Sequence, residues 1–161
     1  MLHMTSTSQR AKDDLVREIR YSIRVHFLHR RLYRRIRYLF GFIALAASSS
    51  VIVEAIAHRP TAVFVVGLVV AATGLLDLLF DFAEHAAQHG AWGQEFSDLL
   101  SRQSALTVDQ LESDIAKIEG DAEIDVEALR TVAWNDTLKE LGLEDKMRDE
   151  SFWQKFVRLV S

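Results

Sequence analysis

Cysteine is absent from the 161 residues, and with it any disulfide framework, thiolate zinc site or cysteine nucleophile, a composition that fits a chain facing the cytoplasm. Proline occurs once, at Pro60. There is no G-x-x-x-x-G-K phosphate loop, internal repeat or low-complexity linker, so any chemistry has to come from smaller signals. The most telling shortage is of charge. From Leu39 to Ala57 only Glu54 is charged, and from Thr61 to Leu76 nothing is.

Two apolar stretches therefore flank His58-Arg59-Pro60. A helix crosses a hydrocarbon core about 30 Å thick with roughly 20 residues, and the first stretch meets that length. The second is shorter. It spans only by carrying Asp77, and with it Asp81, to the membrane boundary or to a wet interior surface, because charge within hydrocarbon is costly. A soluble alternative would bury both stretches as the central hairpin of a bundle, but the flanking charges speak against it. Residues 1–38 hold ten Lys and Arg against three acids, a net +7, while residues 83–161 hold eight against 17, a net −9. Arginines beside the start of a span keep that end in the cytoplasm, and a turn as short as His58 to Pro60 returns the chain to the same side. The expectation is a multi-pass protein of the bacterial inner membrane with both termini cytoplasmic. A cleaved secretory signal fits poorly, since the first apolar run starts only at Leu39 and a second follows at once.

The fold expected is all-α, a membrane helical hairpin with long cytoplasmic extensions. Residues 1–38 read as a basic amphipathic helix, 39–82 as a two-helix transmembrane hairpin and 83–161 as an acidic helical tail. Leu15, Ile19, Ile23 and Phe27 recur at helical spacing after a polar start. No Gly or Pro precedes Gly41, so one helix from about Lys12 to Ala57 is expected. Pro60 suits the first turn of the next helix, which should run past Asp81 to Gly90 and Gly93, with Trp92 near the interface. Thr107-Val108-Asp109-Gln110 reads as a capping box, opening a helix whose Val108, Leu111, Ile115, Ile118 and Ala122 form a short seam interrupted at Gly120. A further helix around Val126, Leu129, Val132 and Ala133 should end near Gly142, before a last amphipathic segment with Phe152, Trp153, Phe156 and Val160. No strand is needed.

Ionisable and hydroxyl groups inside spans usually face a bundle interior or water, which makes Ser48, Ser49, Ser50, Glu54, Thr73, Asp77 and Asp81 the candidate pore or intramembrane polar residues. Asp77 and Asp81, four apart, share one helix face and in an oligomer would form carboxylate rings along a hydrated path; as a plain alternative they mark the end of the span. The serines, with Ala44, Ala46 and Ala47, also allow close helix packing without any pore. Arg30, Arg31, Arg34, Arg35 and Arg37 are candidates for lipid headgroups, a simpler use of these charges than nucleic acid. Arg20 with His26 and Arg24 with His29 match the R-x(4–6)-H spacing of HEPN ribonucleases, as an arginine-rich segment readily does. Asp81, His85 and His89 share a face that could ligate a metal, although solvated side chains at the membrane edge explain them as well. No metal, cofactor or catalysis is expected.

A basic helix ending His29-Arg30-Arg31-Leu32-Tyr33-Arg34-Arg35, a Ser/Ala-rich first span, a minimal turn, a second span and an acidic helix together resemble the SLATT family of two-transmembrane proteins over roughly residues 12–105. The resemblance implies a pore-forming or membrane-perturbing effector of bacterial anti-phage or conflict defence, driven by a partner sensor. The expected function is a homo-oligomeric effector whose partners are membrane lipids, further copies and a cytoplasmic sensor. The rival is a membrane-anchored scaffold that recruits a partner through its acidic tail.

Overall fold

A computed structural model of the chain describes residues 2–121 and 126–161, with the side chains of all of these except 2–8, 50, 51 and 121. Among the described residues every regular element is a helix: α1 (Leu2–Ala47), α2 (Ser50–Ile56), α3 (Pro60–Phe80), α4 (Phe82–Arg102), α5 (Val108–Asp121), α6 (Glu127–Glu140) and α7 (Phe152–Val160), with single 3-10 turns at Gln103–Ala105 and Glu144–Lys146.

Helix α1 organises the fold. Its 46 residues measure about 69 Å at 1.5 Å per residue, long enough for its two halves to meet different surroundings. It is helical from Leu2, earlier than expected, and stops short of the expected Ala57. The break falls at Ser48-Ser49, where Ser48 Oγ donates to the Leu45 carbonyl at 3.0 Å and Ser49 is extended (φ −67°, ψ 132°). Serine hydroxyls compete for backbone partners in this way and weaken a helix where several follow one another. The first apolar stretch is thus divided between the end of α1 and the seven residues of α2.

The turn falls where expected, with Pro60 opening α3. This helix of 21 residues is long and apolar enough to cross a membrane, and none of its residues is buried in the protein. Half-buried positions recur at Ala62, Val66, Val70, Thr73 and Asp77, the stripe turned toward α1. Small residues line the cleft of about 680 Å³ between the two arms, Ala44, Ala47 and Ser48 facing Gly67 and Ala71.

The chain then doubles back. Helix α4 runs antiparallel to the first half of α1, pairing Phe82 with Phe40, His89 with His29, Gly93 with His26 and Phe96 with Ile19. The expected helix end at Gly90 and Gly93 is corrected here, since α4 continues through both to Arg102. A Cβ on Gly90 would stand 3.2 Å from the Arg30 side chain, and one on Gly93 3.5 Å from His26 Cβ. Their missing side chains let two helices approach, and neither terminates anything. Trp92, expected at an interface, packs against the core beside His26 and His89.

Helix α1 supplies two apolar stripes where the sequence showed one. Ile19 joins Phe96, Leu99, Leu111, Ile115 and Ile118 of α4 and α5, while Val25, Leu28 and Leu32 join Leu129, Val132, Ala133 and Val157 of α6 and α7. Phe27, expected in the first stripe, is left 41% exposed. The capping box forms as read, Thr107 N–H to Gln110 Oε1 at 2.9 Å and Gln110 N–H to Thr107 Oγ1 at 3.3 Å. The α5 seam is spent inside this core instead of being offered to another copy, and α5 runs through Gly120 to Asp121; Ala122 lies outside the described residues. Helix α6 ends before Gly142, whose φ of +68° suits glycine.

The basic and acidic segments are consequently one body. Arg20 and Arg24 both pair with Glu140 of α6, the second at 3.2 Å, and Lys12 Nζ donates to the Leu106 carbonyl at 2.8 Å. Opposite net charges on residues 1–38 and 83–161 match this arrangement, while the energy of such exposed pairs is small and burial of the two cores dominates.

Candidate functional site

The junction between α3 and α4, beside the arginines of α1, concentrates the unusual features of the molecule. Asp81 is the one non-glycine residue with positive φ (38°) among the described residues. Its N–H closes α3 on the Asp77 carbonyl at 3.0 Å, and its carboxylate accepts the Glu84 N–H at 3.2 Å as the N-cap of α4. Aspartate tolerates the left-handed region better than most residues and is a favoured N-cap, so a single residue ends one helix and starts the next. The expectation that Asp77 and Asp81 share a face of one continuous helix is therefore corrected: Asp77 stays on the α1-facing stripe of α3, while the Asp81 carboxylate turns to the start of α4.

The other candidate polar residues are dispersed. Thr73 Oγ1 donates within its own helix, 3.0 Å from both the Val69 and Val70 carbonyls, as Ser48 does to Leu45. Ser49 is the N-cap of α2 without a side-chain cap bond, and the side chain of Ser50 lies outside the described residues. Glu54 is exposed near the turn, at the end of the hairpin away from Asp77.

Arg30, Arg31, Arg34, Arg35 and Arg37 are all exposed, and none is ion-paired to an acid among the described residues. Arg30 lies along Gly90, and Arg35 Nη1 donates to the Leu159 carbonyl at 3.0 Å. Immediately beyond them Tyr38, Leu39, Phe42 and Leu45 are exposed in their turn. Charge gives way to apolar surface within one helical turn.

Beneath this collar the fold assembles a cluster that sequence reasoning missed. His26, His29 and His89 are buried together, the His26 and His89 Nδ1 atoms 2.9 Å apart, with Tyr33 stacked on His89 at 5.7 Å. His29 Nε2 accepts the Val126 N–H at 3.1 Å, so its Nδ1 carries the proton given to the Val25 carbonyl at 2.9 Å. Burial first, then the neighbouring His89 and His29, pushes His26 down to about 4. The available signal was His26 and His29 on α1 with His85 and His89 on α4, one turn apart in each case. The arrangement also separates the arginine–histidine pairs, because Arg20 and Arg24 turn outward to Glu140 while His26 and His29 turn inward. Asp81, His85 and His89 likewise form no metal site, and among the described residues no group of three or more His, Asp or Glu side chains, the buried histidines included, is arranged to hold a metal ion.

Comparisons with protein families, with curated proteins and with solved structures find no match.

Proposed function

We propose that the chain is an integral protein of the bacterial inner membrane, anchored by a two-helix hairpin with both termini cytoplasmic, and that copies assemble into an effector that forms or gates a pore or perturbs the membrane. The observation that carries this reading is α3, a helix of 21 residues with Asp77 as its one charge and without one buried side chain, leaving a well-packed helical body through a capped junction. Large apolar surface of this kind needs lipid or another copy to cover it. The resemblance to SLATT proteins adds a role in anti-phage or conflict defence with a partner sensor.

Membrane depolarisation on induced expression tests it. Wild type should depolarise cells in the presence of its native partner genes. Asp77→Asn at matched membrane abundance should lose the charge-dependent part of the effect, whereas Asp81→Asn, which preserves the cap, should keep it. A second reading, a membrane-anchored scaffold, draws on the internal hydrogen bonding of Ser48 and Thr73 and on Asp81 as a cap. Absence of depolarisation with the partner genes present would favour the scaffold.

A further inference from the structure

Helix α7 is amphipathic the wrong way round for a helix packed on a bundle. Two of its three polar residues are engaged by the protein: Gln154 Nε2 donates to Thr131 Oγ1 at 3.0 Å, and Arg158 pairs with Asp136 and with Glu150, the latter at 2.7 Å, while Lys155 is exposed. Of its apolar residues only Val157 is buried, with Val160 partly so. Phe152 (87% exposed), Leu159 (76%) and Trp153 (60%) point outward with Phe156, and the Trp153 and Phe156 rings stack at 5.5 Å. The helix is nonetheless firmly built, since Ser151 and Gln154 complete a capping box at its start.

Its position indicates what covers that face. The carboxyl end of α7 is tied to α1 by Arg35 and the Leu159 carbonyl, and the apolar groove between the two helices is lined by Leu32, Ile36 and Leu39 of α1 and by Trp153, Phe156 and Leu159 of α7, which also remain exposed. This is the level at which α1 passes from exposed arginines to exposed Tyr38, Leu39 and Phe42, so the outward face of α7 continues the apolar surface of the hairpin. Nine residues, about 13 Å, cannot span a bilayer but can lie in its surface. Trp and Phe are suited to that depth, and exposed Lys155 on α7 and Arg35 at the edge of the groove supply charge complementary to anionic headgroups beside it.

We infer that α7 is a membrane-surface helix: Phe152, Trp153, Phe156 and Leu159 insert at the headgroup–acyl boundary of the bilayer the hairpin crosses, holding the helical body against the membrane. The inference rests on the spanning reading of the hairpin, and the experiment separates the two. The cysteine-free chain permits single spin labels at Phe152→Cys, Leu159→Cys, Lys155→Cys and, in α3, Phe64→Cys, in the full-length protein reconstituted into nanodiscs containing phosphatidylglycerol. Labels at 152 and 159 should be accessible to oxygen and lose access to a water-soluble nickel reagent, with 155 showing the reverse and 64 behaving as lipid-exposed. Water accessibility at 152 and 159 with 64 in lipid would overturn the inference and leave the spanning reading intact, whereas water accessibility at 64 would overturn both. Exclusion of both reagents at 152 and 159, with spin–spin broadening, would show that a second copy covers the face and likewise overturn the inference.

Discussion

Helices α3 and α4 have the same length, 21 residues, and are separated by Asp81 alone, yet they relate to their surroundings in opposite ways. Helix α3 is apolar around most of its circumference, with Asp77 its one charged residue, and is nowhere more than half-buried; α4 gathers its apolar residues on one side and buries His89, Gly93, Phe96 and Leu99. Length says little about where a helix resides. The distribution of its apolar residues around the axis decides: a stripe packs on a core, whereas a full apolar circumference needs an apolar solvent. The glycines follow the same division, Gly67 and Gly74 of α3 having nothing within 4 Å of an added Cβ and Gly90 and Gly93 of α4 sitting against α1.

The sharpest way to break the comparison is to truncate one large side chain in each helix. Phe96→Ala removes a fully buried ring and should cost roughly 3–5 kcal/mol of stability. Leu78→Ala, at a position 80% exposed, should change the stability of the helical body by less than about 0.5 kcal/mol. Denaturant unfolding in a mild detergent, followed by circular dichroism, reads both; equal losses would mean that α3 is packed as α4 is.

Acid offers the next test, because the helical body holds the buried histidines and α3 holds none. A folded-state value for His26 near 4 against an ordinary 6.5 means that the unfolded chain binds the proton more tightly. Its contribution is fully present above about pH 6.5 and is lost as pH falls toward 4, an effect on the order of 2 kcal/mol. Melting temperature should drop through that window in wild type, and His26→Gln should flatten the drop. An unchanged pH profile in the variant would remove His26 from the account.

A smaller loss than at Phe96 or His26 is expected at the residue that separates the two helices. Asp81→Ala loses a cap and strains a left-handed backbone, together about 1–2 kcal/mol. Asp81→Asn keeps both properties and should stay within about 0.5 kcal/mol of wild type. If Ala and Asn melt alike, the left-handed junction is not what Asp81 provides.

How far the sequence could be read depended on the range of each signal. The Thr107–Gln110 capping box, the turn at Pro60 and the end of α6 before Gly142 depend on residues within one turn of each other, and all three form as read. Gly90 and Gly93 carry the sequence signal of a helix stop yet end nothing, because a glycine that ends a helix and one that admits a neighbour look the same until the neighbour is known. The α5 seam carried the same ambiguity, its period showing a face to be covered and its partners being Ile19 and Phe96 of the same chain.

By itself the sequence determined the helical class, the two apolar stretches with their tight turn, and the arginine collar before the first of them, since each follows from composition and period along a single segment. Only the tertiary structure decided that the basic and acidic segments form one body, that Asp81 divides two helices, that three histidines share one buried site and that α7 turns its aromatic face outward. Apart from the Asp81 junction, which closes on Asp77 and Glu84, these depend on which surfaces meet across 50 to 130 residues of chain, as with His26 and His89 or Arg35 and Leu159. Contacts at that separation are selected by burial and hydrogen-bond satisfaction in three dimensions, and the order of residues within one segment does not specify them.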